Sequence, residues 1–235
     1  MDKLYIATPA FNGKVNSTFA FSLSETILLC NSQGIPCKVD LLQGSTLLVE
    51  TRNVLVDNFL NSDCTHILMI DSDIGWSGKY VLELLASGLD FVGASYLCRI
   101  NDRFHFNPLL DEKKNLVVSS NGYIKALHIP SGFVLIKRNV FEAFMEKFPD
   151  RWYEKLYVGN VKKVYMFFNT ELLHHRFFGE DFSFCNYIHE IGKDIWVNPF
   201  IAIDHDGRKG RLINSLMPEN EIKALYQKLG RNDYD

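Results

Sequence analysis

The run His66-Ile67-Leu68-Met69-Ile70 stops at Asp71-Ser72-Asp73. A continuous run of this kind, with no polar alternation, suits a strand buried on both faces, as in a parallel sheet covered by helices. Acids directly beyond such a strand lie where open α/β sheets bind ligands, outside the carboxyl ends of the strands. The residues before it agree. Leu4-Tyr5-Ile6-Ala7 is a short apolar run closed by Thr8-Pro9, a strand and then a loop. From about Ser17, Phe19, Leu23, Ile27 and Cys30 recur at helical steps, and Gly34 stands where a C-terminal cap belongs. Residues 36–40 read as a second strand. Residues 47–60 read as a second helix, with Leu48, Leu55 and Phe59 on one face. The order βαβαβ over the first 73 residues predicts an α/β fold, a parallel sheet with helices on both faces.

The alternation continues. Ser77 is placed to cap a helix through Ala86 with Val81, Leu84 and Leu85 inward, and residues 90–94 form the next strand. Residues 99–122 are polar, with turn signals at Asn107-Pro108 and Asn121-Gly122, and read as loop or hairpin. Residues 133–136 are a strand, followed by a helix whose face carries Val140, Phe141, Phe144, Met145 and Phe148. Residues 151–179 are rich in aromatics without clear periodicity. A helix over 180–190 closes at Gly192, residues 194–197 and 201–203 are late strands, and 218–229 reads as a surface helix. No repeat, linker or low-complexity segment divides the chain, so a single domain over 1–235 is expected.

Hydrophobic residues make up 47% and charged residues 23%, which supports a packed core rather than disorder. A net charge of -3 gives no global reason for nucleic-acid binding. The five cysteines are widely spaced and form no CxxC, as expected of reduced thiols in a reducing compartment. The N-terminus has no signal-peptide pattern and no apolar stretch is long enough to span a membrane, so a cytoplasmic location is expected.

Four places gather residues able to do chemistry. Asp71 and Asp73, one residue apart, can share magnesium or manganese, which keep places for phosphate oxygens and water; two solvated loop acids are the alternative. Glu180-Asp181 opens a helix with Phe182, Cys185 and Ile188 inward. The helix dipole alone explains acids there, and successive helical residues diverge by about 100°, so at most one aims into a site. Ile203-Asp204-His205-Asp206-Gly207 again sets polar residues after an apolar strand. His205 is either structural or a metal ligand, and imidazole in the shell would favour manganese over magnesium. Inside the second helix, Arg52 of Thr51-Arg52-Asn53 is either a solvated side chain or a donor to phosphate or nucleotide.

In this order the segments resemble the GT-A fold glycosyltransferases, in particular the family-2-like enzymes of bacteria, phages and large DNA viruses. IATPAFNG is similar to that family's first strand and nucleotide loop, ETRNVLVDNFL to its ARN helix and THILMIDSDIGW to its DxD strand. PSGFVLIKRNVFEAF resembles the donor-sugar segment, and FGEDFSFCNYIHEIGKDIWVNPFIAIDHDG the xED helix with the following His strand. The resemblance implies one Rossmann-like, mostly parallel sheet flanked by helices: a nucleotide-binding half over 1–100, a donor-sugar and acceptor half over 101–207, and a C-terminal tail helix over 208–235. It implies that Asp73 and His205 ligate Mn2+ or Mg2+, and that Asp71 contacts the metal or the donor ribose, with Ser72 beside it in the donor site. Thr8, Pro9 and Phe11 would border the base, with Arg52 nearby and Asp40 reaching toward it, and Ser131 and Gly132 would lie under the sugar. Asp181 would be the catalytic base, with Glu180 adjacent. Two departures stand out: an Asp pair is replaced by Val39-Asp40-Leu41-Leu42, and the Pro-Lys of many relatives is missing after Gly93-Ala94-Ser95-Tyr96.

The expected reaction is transfer of a sugar from a nucleotide-diphosphate donor to a hydroxyl of a glycan, a protein or a modified DNA base, with inversion if Asp181 deprotonates the acceptor. If transfer is retaining, Asp181 orients the acceptor instead. Arg208, Lys209 and Arg211 either fold over the same phosphates or form a solvated basic turn. The aromatics of 151–179, with His174 and His175, are divided between core and an acceptor platform or lid. Two rivals remain. A haloacid-dehalogenase-like phosphotransferase also uses DxD, but on the first strand and with Thr or Val at the position of Gly75. A non-catalytic nucleotide-sugar-binding protein would not need Asp71, Asp73, Asp181 and His205 intact.

Overall fold

Apolar runs and helical stripes alternate along the chain, and the computed structural model, which describes residues 1–44, 46–101, 103–157 and 159–231, turns each of them into an element. In order these are β1 (Leu4–Ala10), α1 (Ser17–Ser32), β2 (Cys37–Gln43), α2 (Leu48–Leu60), β3 (His66–Ile70), β4 (Ile74–Gly75), α3 (Gly78–Ala86) and β5 (Phe91–Gly93). There follow β6 (Asn107–Pro108), β7 (Ile124–His128), β8 (Phe133–Lys137), α4 (Arg138–Lys147), β9 (Trp152–Tyr157), β10 (Asn160–Tyr165), β11 (Glu171–Leu173) and β12 (Arg176–Phe178). The chain closes with α5 (Glu180–Glu190), β13 (Ile195–Val197), β14 (Ala202–His205), β15 (Arg208–Arg211), α6 (Ile213–Leu216) and α7 (Glu219–Lys228).

The main sheet has eight strands in the order β2-β1-β3-β8-β5-β13-β7-β6. It is mostly parallel in strand direction, but not throughout. β8 runs antiparallel to both β3 and β5, and β7 to both β13 and β6. The parallel pairing expected from the βαβαβ pattern is found in β2-β1-β3 and in β5-β13. Hydropathy reports burial on both faces, which an antiparallel strand between two buried neighbours shares.

Alternate residues of the central strands feed two cores. Tyr5, Ala7, Ile67, Met69, Val134 and Ile136 pack with Leu55 and Phe59 of α2, Val140 and Phe144 of α4 and Phe184 of α5. Leu4, Ile6, Leu68, Ile70 and Leu135 pack with Phe19 of α1 and Val81 and Leu84 of α3. The tail helix α7 is not merely a surface helix: Ile222 and Tyr226 are buried against Phe200 and Ile213.

Two sequence expectations differ from the structure. Ser77 precedes α3 but its side chain does not cap it. Glu25 of α1 accepts from Gly78 N at 2.7 Å, so a carboxylate from a neighbouring helix takes the capping role. Residues 151–179 form two hairpins, β9–β10 and β11–β12. Their period was hidden because Phe167 and Phe168 enter the core while Trp152, Leu156, Leu172 and Phe177 stay exposed. Asp206 and Gly207, both at positive φ, make the two-residue turn from β14 to β15, as Asp-Gly turns in hairpins do.

Candidate active site

The site is built where β3 and β14 end and α5 begins. Asp71 leaves β3 with its N–H bonded to Gly132 O at 3.0 Å, and Ile74 N turns back to Asp71 O at 3.1 Å. That tight turn starts β4, whose two residues pair with β14 in the register Ile74↔His205 and Gly75↔Asp204. The short ladder brings the end of the last apolar strand onto the DxD turn. His205 Nε2 is consequently 3.8 Å from Asp73 Oδ2. His205 Nδ1 lies 2.8 Å from Leu97 O. Because a carbonyl only accepts, the proton is on Nδ1 and the Nε2 lone pair faces the cleft.

Asp71 is held differently. Arg52, almost wholly buried in α2, reaches from beneath the site and donates from Nη2 to Asp71 Oδ1 at 2.8 Å and from Nη1 to Ser131 O at 3.3 Å; its Nε is 3.5 Å from Glu180 Oε1. Burial alone would favour loss of the proton, but Asp71 and Glu180 outweigh it and hold the guanidinium charge more firmly than in water. Arg52 is thus not a solvated helix residue. It is the buried counter-ion of the acidic cluster.

Glu180 and Asp181 diverge as helix geometry requires. Glu180 turns to Arg52, and Asp181 lines the cleft. Asp181 is pushed up to about 6 by burial first and then by the charge of Glu180, against the opposing pull of Arg52. A carboxylate with that property is poised to exchange a proton near neutrality.

The cleft encloses about 360 Å³ and is lined by Pro9, Leu48, Asp71, Ser72, Asp73, Tyr96, Arg99, His105, Pro130, Asp181 and His205. A second cleft of similar size continues from Pro9, Leu48 and Ser72 to Phe11, Asn12, Thr46 and Thr51. Phe11 is 67% exposed at its edge. Ser131 is buried and, like Gly132, lines neither cleft; both lie behind Asp71, Ser131 through Arg52 and Gly132 through its carbonyl on Asp71 N. A Cβ on Gly132 would overlap Tyr96 Oη and lie 2.6 Å from Asp71 Oδ2, so glycine is what lets those two groups meet.

Asp71, Ser72, Asp73, Asp181, His205 and Pro9 therefore share one cleft, and Phe11 the adjoining one. Thr8 is fully buried in β1 and lines neither; its Oγ1 has no hydrogen-bond partner among the described residues. Asp40 lines neither cleft and accepts from Tyr5 Oη at 2.6 Å and Asn58 Nδ2 at 3.0 Å. Lys209 lines a separate cleft with Thr18, Glu25, Trp76 and Tyr80, and does not fold over this one. Among the described residues no three His, Cys, Asp or Glu side chains are gathered closely enough to hold a metal ion. Asp73 and His205 approach each other, while Asp71 turns to Arg52.

Sequence reasoning missed Tyr96, Arg99, His105 and Pro130. Tyr96 meets His205 edge-on, with ring centroids 4.8 Å apart. Arg99 contacts the Asp73 carboxylate, and its Nε lies 3.3 Å from His205 Nε2. Both follow β5, where the segment Gly93-Ala94-Ser95-Tyr96 was noticed only for a missing dipeptide.

The sequence matches no protein-family model and no curated protein. Solved structures do match. The crystal structure of A197 from STIV aligns over 87% of this chain and 85% of that one, at 16% identity and a TM-score of 0.51. The crystal structure of GalNAc-T7 with UDP, GalNAc and Mn2+ aligns over 98% of this chain at 10% identity and a TM-score of 0.51. This chain spans 55% of the length of that protein. At these identities the likeness establishes architecture: a central, mostly parallel sheet flanked by helices, the GT-A-like fold of those neighbours.

Proposed function

We propose that this protein is a metal-dependent glycosyltransferase of the family-2-like type, using a nucleotide-diphosphate sugar as donor. The observation that carries this reading is the gathering of Asp71, Asp73, Asp181 and His205 in one cleft beyond the sheet. The fold is shared with GalNAc-T7, whose structure contains UDP, GalNAc and Mn2+, and this supports the choice of ligand class.

The residues fit a divalent cation. Ligand bonds of about 2.1 Å allow two donor atoms up to about 4.2 Å apart to share one ion. Asp73 Oδ2 and His205 Nε2, at 3.8 Å, lie within that span, and the Leu97 carbonyl fixes the imidazole with its lone pair outward. Two protein ligands leave room for phosphate oxygens and water, and the bound cation supplies neutralisation of charge growing on the leaving diphosphate.

The chain's own groups do the rest. The shelf of Pro9, Phe11, Asn12 and Leu48 receives the nucleoside, and Asp71, held by Arg52, faces the donor ribose over Gly132. Asp181 accepts the proton of the acceptor hydroxyl as that oxygen attacks the anomeric carbon, which gives inversion. Asp181 is ionised above about pH 6 yet remains basic enough to take a proton, because burial disfavours its charge. Glu180 acts through Arg52 and not on substrate. Acceptors compatible with the open cleft include a glycan, a protein or a modified DNA base.

The reading is tested by a thermal-shift screen of nucleotide sugars with and without manganese, followed by product analysis with the donor that binds. A manganese-dependent rise in melting temperature and an inverted product are expected. Phosphate release from simple phosphoesters without any nucleotide would instead favour the phosphotransferase, although the DxD here follows the third strand rather than the first.

A further inference from the structure

We propose that Arg99 is a donor-diphosphate-binding residue that, without donor, occupies the cation position between Asp73 and His205. This rests on the glycosyltransferase reading and adds a residue to it.

One guanidinium engages both groups assigned to the cation. It contacts the Asp73 carboxylate, and its Nε donates to His205 Nε2 at 3.3 Å. A metal bound to that carboxylate oxygen and that lone pair requires Arg99 to leave. The two arginines of the site differ in how they are held. Arg52 is buried and tied to Asp71, Ser131 and Glu180, a permanent counter-ion. Arg99 is on a side chain 53% exposed, and an ion pair so open to water is held weakly.

The backbone around Arg99 is anchored on either side. Ser95 Oγ donates to His105 O at 2.7 Å, Leu97 and Phe104 are bridged, and Cys98 N donates to Arg103 O at 2.9 Å. The side chain can therefore swing without unfolding its loop. Of the residues lining this cleft, Arg99 is the single Lys or Arg, set among Asp71, Asp73 and Asp181. A donor diphosphate entering there meets three carboxylates, and the guanidinium fork matches phosphate oxygens. Arriving cation and diphosphate thus give Arg99 a new partner at the moment it gives up the old ones.

The experiment measures manganese binding by isothermal titration, with no nucleotide, to the full chain and to Arg99→Ala, Arg99→Gln and Arg99→Lys. A panel of nucleoside diphosphates is then titrated at saturating manganese. Removing a weak competing ion pair should tighten manganese binding about fivefold in Arg99→Ala and Arg99→Gln. The same two variants should bind nucleoside diphosphate about tenfold more weakly through loss of a charge-assisted contact, with Arg99→Lys between them and the parent chain. Melting temperatures equal to that of the parent chain establish that the variants are folded. Unchanged or weaker manganese binding in folded Arg99→Ala and Arg99→Gln, or undiminished diphosphate binding, overturns the proposal. The wider reading fails separately: it falls if Asp73→Asn and His205→Ala bind manganese as the parent does. If those two lose manganese while the Arg99 variants behave like the parent, Arg99 alone is misassigned.

Discussion

His205 Nε2 stands 3.8 Å from Asp73 Oδ2 because two residues of β4 pair with the end of β14. The carboxylate and the imidazole end strands far apart in sequence, and neither could find the other without that ladder. Nearly every property argued for the cleft follows from this closeness and from the charges placed around it.

Asp181 links stability and activity in opposite directions. Its folded proton affinity is raised to about 6 from 3.8, so the folded chain keeps a proton that the unfolded chain has already lost. The stabilisation is complete below about pH 4 and is lost as pH rises through about 6. Asp181→Asn is expected to raise stability at pH 8 by about 1–3 kcal/mol, measured by urea denaturation, with a much smaller gain at pH 4. The same variant should reduce kcat by about 10²-fold or more, as loss of a general base does.

Arg52 should tune the acid limb that Asp181 is expected to give the pH–rate profile. Its charge opposes the upward shift of Asp181. Arg52→Met should move the limb above about 6 and cost about 1–3 kcal/mol, less than a fully buried pair because Asp71 and Glu180 are partly solvated. A kcat profile from pH 5 to 9 and a denaturation curve check both parts.

Gly132 is where Tyr96 and Asp71 come together. Gly132→Ala is expected to cost about 1–3 kcal/mol and most of the activity, since the new methyl strikes Tyr96 Oη and Asp71 Oδ2. Adding Tyr96→Phe removes the nearer obstacle and should restore part of the stability. A double-mutant cycle measures the coupling.

In the middle of α1, Glu25→Ala should destabilise by about 1 kcal/mol by releasing Gly78 N, whereas Ser77→Ala should be close to neutral. Thermal denaturation of the two variants separates a cap supplied from another helix from one supplied locally.

The sequence was informative where local pattern and burial coincide. The run of β3 and the acids after it, and α5 opening on Glu180-Asp181, stand where the pattern set them, whereas the buried face of α1 carries Phe19, Ser22, Thr26 and Cys30 and leaves Leu23 and Ile27 only half-buried. Strand direction was not legible, because β8 is as apolar on both faces as its neighbours whichever way it runs. The burial of Arg52 was equally hidden: its partners Asp71, Ser131 and Glu180 come from three other parts of the chain. Asp206-Gly207 did carry a readable hairpin signal, since both residues take the left-handed conformation that such turns demand. Arg99 carried none. A loop arginine becomes noticeable only once Asp73 and His205 are seen beneath it.

Titration of manganese into the protein with its cognate nucleoside diphosphate, repeated for Asp73→Asn and His205→Ala, bears most directly on whether the acid of β3 and the imidazole of β14 grip a cation and a diphosphate together. The expected result is manganese-dependent nucleotide binding by the parent chain, weakened about 10-fold or more in each variant, as loss of a metal ligand should do at least as strongly as loss of a supporting residue. Manganese and nucleotide bound undiminished by both variants, in chains that melt at the parent temperature, would contradict it.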